Sequence, residues 1–225
     1  VVIANIYSEL SKWELRRATY DNPLTGLTFI MFLKFISDNK TELGLKYEER
    51  YDYGFLSLLY GKEIHRNDLE AHVADVEKKL KLENDILSAF VRSLELLDME
   101  QKFAELLLLA KDLNLKKEQE SDFALLDCLM KFIGQQSMKE IRFSGEAVTE
   151  TNLARLMSLI APTKNDIDVY DFAAGYGIIL AQLAKRKKIR VFAQDINHVN
   201  AAILSMMLIF AGVEAANVHC GDSLR

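Results

Sequence analysis

Apolar residues recur at helical spacing through the first half of the chain, then collect in short runs separated by helix-like segments, so the pattern divides the sequence into a helical part and an alternating part. Ile6, Leu10 and Trp13, with Arg17, begin a helix that meets a polar break at Tyr20-Asp21-Asn22-Pro23, and Leu24 to Ser37 form an apolar amphipathic run after it. Asn67 or Asp68 could cap a long charged helix through Leu87, and Leu94 to Leu109 and Phe123 to Ile133 carry Leu and Met at core spacing. Tyr47, Tyr51, Tyr53 and Tyr60 fall in one stretch that suits either a recognition surface or, more simply, the aromatic packing of a long loop.

The composition changes near Gly134, where Gln135-Gln136-Ser137 and Arg142-Phe143-Ser144-Gly145 read as a connector. The expected division is a helical domain over 1–135 and a second domain over 136–225. The second domain reads as a helix at Thr151 to Ile160, a strand at Val169 to Phe172 and a helix at Ile178 to Lys187. A strand at Arg190 to Gln194, a helix from His198 to Ala211 and a strand at Asn217 to Cys220 follow. This is βαβαβ order, with Asn197 as a helix N-cap and Gly212 as a stop.

Half the residues are hydrophobic and 27% are charged, the balance of an ordinary globular protein with a real core. The net charge of −5 argues against strong unaided binding to nucleic acid, which needs cations to replace phosphate counterions. No window reaches the roughly 18 apolar residues of a membrane span, and the chain opens without a signal sequence, so a cytoplasmic location is expected. Cys128 and Cys220 lie far apart with no C-x-x-C spacing, and His65, His72, His198 and His219 are scattered, so no disulfide framework or metal site is expected. The Lys185-Arg186-Lys187-Lys188 cluster follows a helix, where cations suit the dipole, and is read as a solvated helix end before a DNA contact.

The most informative stretch is Asp171-Phe172-Ala173-Ala174-Gly175-Tyr176-Gly177, followed by Asp195 and Asp222, which lie 24 and 27 residues apart along the chain as expected strand ends. In an open parallel sheet, ligands gather at the carboxyl ends of the strands, so the three acids would share one edge. Gly175 and Gly177 permit a tight turn and close backbone approach, and Asp195, 20 residues after Gly175, stands where a carboxylate grips ribose hydroxyls. A dinucleotide fingerprint wants Gly or Ala where Leu180 stands, which disfavours a dehydrogenase. An acid just before the loop suits instead a ligand with an amino-bearing tail, such as S-adenosylmethionine.

Gly145-Glu146-Ala147-Val148-Thr149-Glu150, Asp171 to Gly177, Gln194-Asp195-Ile196-Asn197 and Gly221-Asp222-Ser223 stand in an order and spacing that resemble the modification (M) subunits of type I restriction-modification systems, within the N6-adenine DNA methyltransferases. The resemblance covers nearly the full length. It implies an α/β protein in which a helical N-terminal domain that engages DNA or partners precedes a Rossmann-like, S-adenosylmethionine-dependent methyltransferase domain, here truncated. It further implies that Asp171, Ala174, Gly175, Tyr176 and Gly177 hold the methionine end of the cofactor, that Asp195 binds the ribose and that Ile196 packs on the adenine. Asp222 and Ser223 would reach the adenine edge, and Glu146, Val148 and Thr149 would close over the cofactor. Two plainer readings stand beside these: Ile196 as core, and Thr149 with Thr151 as a helix cap.

The sequence departs from the family pattern at Phe172, where a proline is usual, and at Ala147, Val148 and Glu150, where two aromatics and a proline are usual. A non-catalytic scaffold that kept the fold but lost the cofactor, its pocket filled by Phe172, is therefore the alternative. The family's catalytic Asn-Pro-Pro-aromatic segment is absent: Pro23 and Pro162 are the only prolines and neither has a proline neighbour. Truncation is the expected explanation, with the 225 residues inactive alone. The implied partners are DNA, a specificity (S) subunit that reads the bases, a restriction (R) subunit and a second copy of the M subunit.

Overall fold

Every residue from Leu24 to Ile36 is buried, so the helix they form has no solvent face. The computed structural model describes residues 1–12, 23–82, 85–116, 124–140, 149–161, 166–213 and 216–224, and the chain divides into the compact units Val1–Glu118 and Gln119–Arg225. In the first unit α1 (Val2–Lys12) packs on α2 (Pro23–Asp38), which also meets α3 (Tyr53–Leu59) and α6 (Glu100–Ala110). The amphipathic helix expected at Leu24 to Ser37 is thus a central one, apolar all round because neighbours surround it. Its polar groups are answered locally: the Thr28 hydroxyl donates to the Leu24 carbonyl at 2.8 Å, and Lys34 pairs with Asp38 at 2.6 Å. Trp13, Arg17 and the break at Tyr20 to Asn22 lie outside the described residues.

The long charged helix expected from Asn67 or Asp68 through Leu87 is instead two, α4 (Arg66–Lys79) and α5 (Ile86–Ser93). The N-cap is His65, whose backbone N–H donates to Asp68 at 2.9 Å in a capping box. The reversal has a physical cause. The buried Glu77 carboxylate accepts from the N–H groups of Leu87 at 2.8 Å and Ser88 at 3.1 Å, so the end of α4 caps the start of α5. The run expected over Leu94 to Leu109 likewise splits, into a 3₁₀ turn at Glu95–Asp98 and then α6.

The tyrosine-rich stretch is packing. Tyr53 and Tyr60 are buried, and the Tyr60 hydroxyl donates to the Leu97 carbonyl at 3.0 Å. Tyr51 stacks on His72 at 4.4 Å between ring centroids and Tyr47 meets the same imidazole edge-on at 4.6 Å, while Lys40 and Arg50 lie over the two tyrosine rings. Burial holds the His72 pKa down at about 4.

In the second unit, α7 (Ala124–Glu140) buries Leu126, Leu129, Met130 and Ile133 on one stripe and packs on α8 (Thr151–Ile160) and α10 (His198–Phe210). Gly134, where the sequence suggests a connector, is inside α7, and the compact units part between Glu118 and Gln119. The strands β1 (Ile167–Asp171), β2 (Ile189–Asp195) and β3 (Ala216–Cys220) form a parallel sheet in the order β1-β2-β3, with α9 (Ile178–Ala184) between the first two. Asp171 pairs with Ala193, and Asp195 with Cys220. Along β2, Ile189, Val191, Ala193 and Asp195 are buried while Arg190 and Phe192 are exposed, the period-2 pattern of a strand covered on one face. α10 covers that face and is itself buried along nearly its whole length. Among the described residues no helix is long and apolar enough to cross a membrane.

Candidate functional site

The site grows from the two connections that leave β1 and β2 at their carboxyl ends. After Asp171 the chain turns at once, its carboxylate accepting the Ala173 N–H at 3.2 Å. The turn is then pinned across to β2 twice: the Ala174 N–H donates to the Gln194 carbonyl at 3.0 Å, and the Gly175 N–H donates to the Asp195 carboxylate at 2.8 Å. Gly175 and Gly177 both adopt left-handed backbone, at φ of 54° and 76°, a region that favours glycine. Their surroundings differ. A Cβ on Gly175 would meet nothing within 4 Å, whereas one on Gly177 would lie 2.3 Å from a methyl of Leu204 on α10.

Asp195 is 9% exposed and its carboxylate is heavily used. One oxygen takes the Gly175 N–H; the other accepts the Asn197 N–H at 2.9 Å and the Asn200 side-chain amide at 3.3 Å. Its backbone carbonyl accepts the Gly221 N–H at 2.9 Å, tying the segment after β3 to the same edge. Next along, Ile196 is 74% exposed, so the core reading of this residue is set aside. Asn197 then caps α10, its side chain accepting the Val199 N–H at 2.9 Å. Partial burial, with the Asp195 charge as a second cause, pushes the Cys220 thiol up, and burial pushes His198 down.

These pieces enclose a cleft of about 250 Å³ lined by Thr149, Ala173, Ala174, Gly175, Tyr176, Ile178, Ile179, Asp195, Ile196, Asn197 and Asn200. Of the residues singled out from sequence, Thr149, Ala174, Gly175, Tyr176, Asp195 and Ile196 therefore meet in it. Asp171 and Gly177 shape the turn without lining the cleft. Asp222 lies two residues beyond the end of β3, with its carboxylate accepting the Leu224 N–H at 3.0 Å, and Ser223 is exposed beside it. Glu146 and Val148 lie outside the described residues. Sequence reading missed Asn200, whose signal was its place in the first turn of a helix that starts just after Asp195.

Phe172 does not fill the cleft: it is 59% exposed and is not among the lining residues, so the altered loop leaves the cleft open. The basic cluster is partly consumed within its own unit, Lys185 pairing with the Asp127 carboxylate and Lys187 donating to the Ala161 carbonyl at 2.9 Å. A larger cavity of about 610 Å³, lined by Asp166, Lys187, Lys188, Arg190 and Gly212 among others, opens at the opposite edge of the sheet. Ligands of open α/β sheets bind outside the carboxyl ends of the strands, so position favours the smaller cleft over the larger cavity.

Residues 125–225 match the family model described as N-6 DNA Methylase. Three of the solved structures that match in fold cover essentially the whole chain. One is the type I restriction-modification system methyltransferase subunit from Streptococcus thermophilus, at 17% identity and a TM-score of 0.63, covering 99% of this chain and 58% of that one. Another is a modification subunit assigned to a type I restriction enzyme from Vibrio vulnificus YJ016, at 15% identity and a TM-score of 0.67, covering 100% and 55%. A third, from a study of the assembly and conformational transition of the type I R-M system, matches at 17% identity and a TM-score of 0.51, covering 99% and 51%. The fold is thus a helical part followed by a parallel α/β part, and the chain spans little more than half the length of these structures. No curated protein matches the sequence.

Proposed function

We propose that this chain forms the cofactor-binding part of a modification subunit of a type I restriction-modification system, a cytoplasmic assembly whose reaction transfers a methyl group from S-adenosylmethionine to N6 of adenine in DNA. The observation that carries the proposal is the meeting of the Gly175 turn, Asp195 and the exposed Ile196 in one cleft at the carboxyl edge of a parallel sheet, within a unit of N-6 DNA methylase type.

The residues present fit that cofactor. Gly175 has open space where a side chain would stand, which lets a ligand approach the backbone of the turn. Ile196 offers a solvent-facing apolar surface on which a purine ring can lie, a contact that regains the burial this side chain lacks. The Asp195 carboxylate has about one lone-pair site left after its three protein donors, on the oxygen that takes the Gly175 N–H, enough to accept from a ribose hydroxyl. Asp171, Ala174, Tyr176 and Gly177, with Gly175, would hold the methionine end, Asp171 and Gly177 by shaping the turn and Asp171 also by its negative charge. Asp222 and Ser223 would reach the adenine edge, and Thr149 would close over the cofactor, a role proposed also for Glu146 and Val148. When bound, S-adenosylmethionine supplies the electrophilic methyl group; the chain's own part is to bind and orient it. DNA, a specificity subunit, a restriction subunit and a second modification subunit are the proposed partners. A net charge of −5 accords with base reading by another chain.

Calorimetry with S-adenosylmethionine on the wild type and on Asp195→Ala tests the proposal. Hydrogen bonds to a charged group contribute about 1.5–3 kcal/mol each, so the variant is expected to bind at least tenfold more weakly. Undiminished binding by the variant removes Asp195 from the site. A wild type that binds no cofactor, with the turn intact, favours the scaffold reading.

A further inference from the structure

We infer that Asn200 is a positioning residue that sets the orientation of the Asp195 carboxylate toward the cleft. Asn200 is the third residue of α10, after the N-cap Asn197, and it lines the cleft beside Asp195. In a capping box the side chain at this position accepts the N–H of the N-cap residue. Here the Asn197 N–H is given to Asp195 at 2.9 Å, and the Asn200 side chain reaches to the same carboxylate oxygen as a donor, at 3.3 Å. The other two donors to Asp195 are the backbone N–H groups of Asn197 and Gly175, which every residue but proline supplies at those positions. Asn200 is therefore the contact to the carboxylate that depends on residue type. It holds one oxygen toward α10, which leaves the other facing the Gly175 N–H and keeps the turn latched to β2.

A role confined to helix stability makes the opposite forecast. Alanine is a better helix former than asparagine, and an acid in the first turn interacts well with the dipole, so neither Asn200→Ala nor Asn200→Asp harms the helix on local grounds. At Asp195 the order reverses. Alanine removes the donor, and aspartate removes it while placing a second carboxylate at hydrogen-bond distance.

The test has two arms, the first independent of any ligand and the second resting on the cofactor reading above. Amide hydrogen exchange is followed at Gly175, with amides in the interior of α10 as the internal reference. Exchange at Gly175 is expected to quicken by about tenfold in Asn200→Ala and further in Asn200→Asp, while the α10 amides keep their wild-type protection. Unchanged exchange at Gly175 in both variants, or loss of protection at Gly175 and α10 in step, overturns the assignment. In the second arm S-adenosylmethionine binding weakens in the same order, Asp more than Ala. Affinities equal to wild type in both variants also overturn it. If the exchange arm behaves as expected and the wild type binds no S-adenosylmethionine, the cofactor reading falls and the positioning of Asp195 by Asn200 stands.

Discussion

Gly177→Ala is expected to cost the α/β unit about 2–4 kcal/mol, and Gly175→Ala only about 1 kcal/mol, although both glycines sit at positive φ. The left-handed backbone penalises any L side chain at either position, which accounts for the smaller figure. At Gly177 a Cβ would also lie 2.3 Å from the Leu204 methyl, and Leu204 is fully buried on a helix that is itself packed on the sheet. Relief requires the buried Leu204 side chain to leave its rotamer, or α9 and α10 to move apart and the Gly175 turn with them. Chemical denaturation of the two variants beside the wild type measures both costs. Equal losses at the two glycines would show that the close approach of α9 to Leu204 is not a constraint on the fold.

Acidification supplies the second large effect, in the helical unit. His72 is held neutral by burial, with a pKa of about 4 against an ordinary value of 6.5. The unfolded chain takes up a proton at this residue as the pH falls through 6.5, while the folded chain does not until about 4. The contribution is therefore fully present above pH 6.5, declines between 6.5 and 4, and is lost below 4. Its size over that window is about 2–4 kcal/mol. His72→Phe keeps a ring between Tyr47 and Tyr51 and removes the titration. Denaturation of wild type and variant at pH 7 and at pH 4.5 isolates His72 from the carboxylates that titrate in the same range, because those are common to both proteins. The difference in stability between the two is expected to shift toward the variant by about 2–3 kcal/mol at the lower pH. A difference that does not change with pH would mean that His72 takes its proton as readily folded as unfolded.

The parts of this structure that local chemistry determines could be read from sequence. α8 runs over Thr151–Ile160 as its periodicity predicts, Asn197 caps α10 through its own side chain, and Gly212 ends that region at a φ of 71°. The parallel βαβαβ order followed from alternating short apolar runs and helices. What could not be read depends on partners distant in sequence. The break between α4 and α5 is fixed by Glu77 reaching the N–H groups of Leu87 and Ser88, and nothing in the local periodicity marks it. His72 becomes a buried base because Tyr47 and Tyr51 fold over it. α2 is buried all round because other helices surround it, a property of the assembly and not of its own amphipathic pattern.

The site shows the same division. The acid and glycine spacing pointed to the carboxyl edge of the sheet, where the cleft lies, but not to which atoms face it. Asp171 spends one oxygen on its own turn, and Asp222 stands past the strand it was expected to end. Asn200 attracts no notice in sequence, since an asparagine in a first helical turn is ordinary. Its significance comes from the sharp return of the chain after β2, which brings it to Asp195.

The most direct test of the account is an S-adenosylmethionine titration followed through the backbone amide resonances of the chain. Shifts are expected to concentrate at Ala174, Gly175 and Tyr176, at Asp195 to Asn197 and at Asn200, the residues that meet in the cleft at the carboxyl edge of the sheet. Shifts confined to Lys187 to Arg190 and Gly212, around the larger cavity at the opposite edge, or no shifts at all, would contradict it.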